Sequence, residues 1–185
     1  MDSVIKVILA CFLFFGFSFA QKIEGIQIPQ TCAKLPLNGA GIRSKFFFDL
    51  YIGALYLSKK SSNAKNIIQK DEKMSIKLII LSSMITSKKM ENATRDGFNK
   101  AMQGNTTALR KEIEDFIAVF KEKIKKEDVY DLVYTPKVGV DIYKNEKYKK
   151  TIQGLAFKKA LFKIWLGEAP VQKSLKNSML GKQTR

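Results

Sequence analysis

The chain has 185 residues, with 33 Lys+Arg against 17 Asp+Glu, a net charge of +16, two Cys and no His. Without histidine there is no Ser-His-Asp or Cys-His unit, no imidazole metal ligand and no side chain that titrates near neutrality unperturbed. Neither a cofactor nor a metal is expected, and any catalysis would fall to Arg, Lys, Tyr, carboxylates or amides. A hydrophobic content of 45% over this length fits one globular domain with a sizeable core.

Residues 1–20 read as a signal peptide: Lys6, an unbroken apolar run over 7–17, then Ser18-Phe19-Ala20 as a cleavage site. The run is about half the roughly 20 residues that span a bilayer. The expectation is export with cleavage after Ala20, to the periplasm if the source is bacterial, leaving a domain at 21–185. The mature chain keeps its +16, because the leader holds one Lys and one Asp, and it keeps only Cys32, so no internal disulfide can form.

Residues 22–28 alternate and stop at Pro29, as a short edge strand would. Gly39 and Gly41 follow, with room for unusual dihedrals. Residues 46–57 are aromatic and β-branched and predict a central strand, with Phe46, Phe48, Leu50, Ile52 and Ala54 as one apolar face. A short helix is expected over 61–69 and a strand over 74–82. A helix runs from the cap Thr86 to the stop Gly104, and another over 107–126 carries Leu109, Ile113, Phe116, Ile117, Phe120 and Ile124 on one face. Strands at 129–135, 138–143 and 147–153 form a meander with turns at Pro136-Lys137 and Asn145-Glu146. A helix over 155–166 stops at Gly167, and a last one restarts at Pro170. Strands and helices in that order give an α+β fold.

The charge invites a polyanion, but the lysines are scattered pairs and only four arginines are present, with no aromatic-glycine repeat for stacking bases. Nucleic acid is not expected. A solvated basic surface is the main reading, with weak contact to an anionic membrane surface beside it.

Three segments carry a resemblance: Leu37-Asn38-Gly39-Ala40-Gly41-Ile42-Arg43, Tyr51-Ile52-Gly53-Ala54-Leu55-Tyr56-Leu57, and Ile164-Trp165-Leu166-Gly167-Glu168 with Leu175-Lys176 beyond. Their order and spacing over 35–181 resemble the chalcone isomerase-like superfamily, notably its small secreted bacterial members. The resemblance implies an open-faced β-sandwich, a large antiparallel sheet covered on one face by a layer of helices, with a ligand cleft between them. It implies Arg43 as the family's arginine and Asn92 as its cleft asparagine. Tyr51 stands where the isomerases carry a catalytic threonine, Ile85 where they carry the catalytic tyrosine, and Ile164 where a further threonine stands. Two hydroxyl positions are therefore apolar, which disfavours the isomerase reading. An arginine paired with a tyrosine is more similar to the fatty-acid-binding branch, where the pair holds a carboxylate.

The expected ligand is accordingly a hydrophobic small acid, such as a fatty acid, bound by Arg43, Tyr51 and Asn92 without catalysis. Phe46, Phe47, Phe48, Leu50, Ile52, Ile85, Phe98 and Ile164 are the candidate apolar wall. The alternatives are an envelope interaction protein with no small ligand, or an isomerase (intramolecular lyase). Two geometric points bear on the site. A helical wheel sets Asn92 roughly 200° from Met90, opposite the apolar stripe. Arg43 and Tyr51 are separated by about 27 Å along an extended strand at roughly 3.4 Å per residue, so a shared headgroup requires a hairpin near Ser44-Lys45.

Overall fold

The computed structural model describes residues 21–182. The expected leader, residues 1–20, lies outside the described residues. The segment expected as one edge strand is two: β1 (Lys22–Ile23) and β2 (Ile26–Gln27) form a separate two-stranded hairpin. The backbone reverses at Glu24 and Gly25, both at positive φ, which alternation alone does not reveal.

Seven strands make the main sheet: β3 (Thr31–Cys32), β4 (Leu35–Lys45), β5 (Phe48–Leu57), β6 (Met74–Ile80), β7 (Val129–Thr135), β8 (Gly139–Lys144) and β9 (Lys147–Ile152). They lie side by side in chain order, every neighbouring pair antiparallel. The free edge at β9 carries Lys147, Lys149 and Lys150, whose charges discourage pairing with another chain. This is the α+β fold with an open sheet expected from the sequence.

The helices are α1 (Ala64–Gln69), α2 (Ser87–Ala101), α3 (Arg110–Ile117), α4 (Leu155–Leu166) and α5 (Lys173–Met179). Thr86 caps α2 by accepting from Lys89 N, and Asn63 caps α1 likewise. The helix expected over 107–126 is shorter. Two 3-10 turns, Thr107–Leu109 and Ala118–Lys121, flank α3, and the chain is extended from Glu122. There the Glu122 and Lys123 carbonyls accept from Ser87 Oγ and Lys144 Nζ, which replace the helical N–H donors.

Alternation divides the sheet into two faces. Met74, Ile76, Leu78 and Ile80 of β6 meet Phe98, Phe116, Phe120, Phe157 and Trp165 of the helical layer in the larger core. Helix α4 is apolar nearly all round because it lies between the sheet and the other helices. On the opposite face Ile52, Ala54, Tyr56 and Ile79 form a smaller core with Ile28, Cys32 and Leu35, so the N-terminal segment covers part of it.

Two expectations are corrected here. Gly39 and Gly41 are ordinary extended strand residues, and their role is space: a Cβ at Gly39 would lie 2.2 Å from the Ser178 carbonyl oxygen, and one at Gly41 2.5 Å from Ser178 Cβ. With Gly53 opposite, they form the trough in which α5 lies. The strand expected over 46–57 begins only at Phe48, because Phe46 and Phe47 are the turn between β4 and β5. Phe46, Phe47 and Phe48 are therefore exposed and belong to no apolar wall, while Ile52 lies on the face away from the helices.

Candidate functional site

The hairpin required to bring Arg43 and Tyr51 together is present, but it turns at Phe46-Phe47 and not at Ser44-Lys45, which are still paired with Asp49 and Phe48. Arg43 and Tyr51 are direct partners across β4 and β5, so both side chains leave the sheet on one face, and Tyr51 is paired on its other side with Ile80. That face is the helix-covered one, in line with Gly41 and Gly53 under α5. Arg43 and Tyr51 are half-buried at the end of the helical layer, where residues 167–172 connect α4 to α5.

Gln172 closes this notch. It stands at the N-cap of α5, yet its side chain makes no capping bond and reaches across to β4. Its Oε1 accepts from Arg43 Nη1 and from Ser44 N, each at 2.9 Å, while its Nε2 donates to Ile42 O at 3.3 Å and Ser174 Oγ at 2.6 Å. Arg43 Nη1 also donates to the Ser44 carbonyl. A guanidinium has five N–H groups, and those on Nη2 and Nε have no acceptor among the described residues. Nor does any carboxylate among the described residues form an ion pair with Arg43.

Tyr51 adds a further donor. Its hydroxyl oxygen accepts from Trp165 Nε1 at 3.0 Å, and its own proton has no acceptor among the described residues. Burial pushes the Tyr51 phenol above its ordinary pKa, with the Trp165 bond and the Arg43 charge pulling part of the way back. It therefore remains a neutral O–H donor at physiological pH. The notch thus presents a fixed cation and a phenol, with one carboxamide oxygen at the place where two donors converge.

The space behind it is filled by the protein's own side chains. Ile80, Ile85, Phe98, Ile164 and Trp165 are all buried. Ile85 and Ile164, which the resemblance sets at hydroxyl positions of the isomerases, are hydrocarbon in the core. Asn92 is exposed on the outer side of α2, whose buried residues are Met90, Thr94, Gly97 and Phe98. It does not join Arg43 and Tyr51, in keeping with its place on the wheel. Two surface pockets, of about 380 and 240 Å³, lie beside Arg95 and Arg110 and beside Lys59 and Lys73; neither is lined by Arg43 or Tyr51.

Sequence reasoning missed two groups of polar residues. On the far face Lys77 Nζ meets Asp131 Oδ1 at 2.5 Å, and the Cys32 thiol donates to the same oxygen at 3.3 Å and lies 3.5 Å from Ser75 Oγ. Burial pushes the Cys32 thiol up, so it is a protonated donor and not a nucleophile. The signal in the sequence was a Lys and an Asp interrupting two apolar strands, which turn out to be cross-strand partners. The second group is Lys158, fully buried, whose ammonium donates to the carbonyls of Ile67, Ile68 and Lys70 at 2.8–3.0 Å and so closes the C-terminus of α1.

No curated protein sequence matches the chain. Among solved structures, a fatty-acid binding protein of Arabidopsis thaliana has a similar fold, with a TM-score of 0.72 over 87% of this chain and 95% of that one, at 16% sequence identity. The family model described as chalcone isomerase-like matches residues 20–181. With the open antiparallel sheet, the helical layer and the Arg43 strand all in place, the chain belongs to the chalcone isomerase-like family.

Proposed function

We propose that the protein is a noncatalytic carrier of a hydrophobic small acid, a fatty acid in the first instance, with Arg43 and Tyr51 holding the carboxylate. The observation that carries this reading is the set of unspent donors on two cross-strand partners: Arg43 Nη2 and Nε and the Tyr51 hydroxyl have no acceptor among the described residues. A carboxylate replacing the Gln172 carboxamide sets a full negative charge against the guanidinium and offers it two acceptor oxygens where the carboxamide offers one, each such bond contributing about 1.5–3 kcal/mol. Each methylene buried behind it adds about 0.8 kcal/mol. Entry requires Gln172 to leave Arg43 and residues 167–172 to part from β4. The likeness in fold to a fatty-acid binding protein supports the ligand class. Hydrocarbon at Ile85 and Ile164 supports the absence of a catalytic hydroxyl network.

The test is native mass spectrometry and lipid extraction of the exported protein, followed by titration with a long-chain acid and its neutral alcohol. Arg43→Ala should abolish acid binding and leave the alcohol much less affected. Equal losses would mean that Arg43 supports the fold and does not read the charge. The N-terminal mass of the same preparation tests export with cleavage after Ala20; residues 1–20 intact in a membrane fraction would refute it. A second reading, an envelope interaction protein with no small ligand, is favoured by the closed notch, since Gln172 already occupies Arg43 and the interior is full. No co-purified acid and no saturable acid binding would select it.

A further inference from the structure

The turn between β4 and β5 is built against the usual chemistry of such turns. It has two residues, Phe46 and Phe47, between the paired Lys45 and Phe48. Phe46 has φ 56°, a position where a two-residue hairpin normally places Gly or Asn and where a bulky side chain is strained. Among the described residues the other two-residue turns at positive φ use Glu24-Gly25, Ala33-Lys34 and Asn145-Glu146. Only this one carries aromatic residues, and they face water: Phe46 is 85% exposed, Phe47 99% and Phe48 52%. Both local strain and exposure of apolar surface oppose these residues, so folding does not explain them.

The surroundings are basic. Lys45 Nζ lies 5.9 Å from the centre of the Phe46 ring. The loop after β6 lies alongside, since Leu81 N and Ser82 N both donate to Leu50 O; it exposes Met84 and leads into exposed Lys88 and Lys89. Exposed Lys173 follows Gln172, which is bonded to Ser44 at the base of the hairpin. The acidic residue on the hairpin, Asp49, is engaged by Ser44 Oγ at 2.6 Å.

We infer that the Phe46–Phe47–Phe48 tip is a membrane-docking wedge, which inserts its rings into the interfacial region of an anionic lipid bilayer while Lys45 and the neighbouring lysines meet the headgroups. Shape and charge select this occupant. Three phenylalanines at these exposures present roughly 350–600 Å² between them, below the roughly 800 Å² per partner of an ordinary stable protein interface, and they project from a narrow turn. A bilayer accepts a narrow apolar wedge, and a chain of net charge +16 is drawn to an anionic one. No helix of the described residues is long and apolar enough to cross a membrane, so the contact is peripheral. The inference stands apart from the ligand reading, although the same hairpin would bring the Arg43 notch close to the headgroups.

The experiment is flotation of the exported protein, expressed from the full chain, with phosphatidylglycerol–phosphatidylcholine vesicles free of fatty acid. A variant with Phe46→Ser, Phe47→Ser and Phe48→Ser is compared, with its fold checked by circular dichroism. Partition of the wild type should exceed that of the variant at least tenfold and fall on pure phosphatidylcholine. In the Phe47→Trp protein, anionic vesicles should shift the emission to the blue and brominated lipid should quench it. Equal partition of the two proteins would mean that charge alone binds lipid, and no partition of the wild type would remove the wedge altogether. A wild-type dimer that the serine variant loses, with no Trp quenching by lipid, would identify the tip as a self-association surface and overturn the proposal. Because the vesicles hold no free acid, failure here leaves the ligand reading untouched.

Discussion

Two cations sit under the helical layer of this protein without a carboxylate partner among the described residues, and they are held in opposite ways. Lys158 is fully buried, and its three N–H groups have three carbonyl acceptors at the end of α1. Arg43 is half-buried, and of its five N–H groups only those on Nη1 have acceptors among the described residues. A cation whose donors are all spent can only support the fold, whereas one with donors in reserve can also receive something. Each also has an aromatic neighbour: Lys158 Nζ lies 5.2 Å from the Phe162 ring and 5.4 Å from the Tyr134 ring, and Arg43 is paired with Tyr51, whose hydroxyl proton is likewise unspent. The difference separates a structural cation from a candidate binding one by counting hydrogen bonds.

The comparison is sharpened most by Lys158→Met. Three carbonyls lose their donor in a buried place, and stability should fall by about 2–4 kcal/mol in urea unfolding, partly offset because a charge no longer has to be desolvated. Arg43→Ala should cost less than about 1 kcal/mol in the same assay. Equal losses would show that Arg43 is as structural as Lys158.

Gly39→Ala attacks the frame that holds Gln172 over Arg43. Its Cβ would meet the backbone of Ser178, Met179 and Gly181 within 3 Å, none of which can rotate away. A loss of about 1–3 kcal/mol is expected, with faster amide exchange in α5 than in α1. Unchanged exchange would mean that α5 does not depend on the glycine trough.

Titration provides a third separation. Burial, helped by the neighbouring Lys159 charge, pushes the Lys158 ammonium down to about 8, against an ordinary value near 10.5 when unfolded. Lys158 is thus still charged at neutral pH. Between about pH 8 and 10 the unfolded chain holds this proton and the folded chain does not, so the contribution of Lys158 to stability rises with pH. The stability gap between wild type and Lys158→Met should widen by about 2 kcal/mol from pH 8 to 10, and a flat gap would contradict the assigned environment.

The smallest effect concerns Gln172. Gln172→Ala removes the carboxamide from Arg43 and Ser44 at a half-exposed place, and stability should change by less than about 1 kcal/mol. If Gln172 stands in for a ligand carboxylate, the same variant should bind a long-chain acid several-fold more tightly in calorimetry. Weaker binding would make Gln172 part of the receptor instead.

Local pattern alone determined much of this fold. Helix α4 starts and stops where the 155–166 periodicity and Gly167 place it, and Thr86 caps α2 because a hydroxyl before a periodic run satisfies an orphan N–H. The strands β7, β8 and β9 follow from alternation and turn residues, and the Arg43–Tyr51 pairing needed only the reach of an extended strand to require a hairpin. What tertiary structure decided lies between segments distant in sequence. The glycines of β4 answer to α5, about 140 residues away, and Gln172 reaches Arg43 across 129 residues. Helical spacing sets Lys158 on the apolar side of α4 with Leu161, Phe162 and Trp165, but only the tertiary structure supplies the bare carbonyls at the end of α1 that let an ammonium be buried there. The Phe46–Phe48 run reads as buried strand because apolar residues ordinarily are. Only the register of β4 on β5 puts a turn there, and with the turn comes exposure, since a two-residue loop at a sheet end has nothing packed over it.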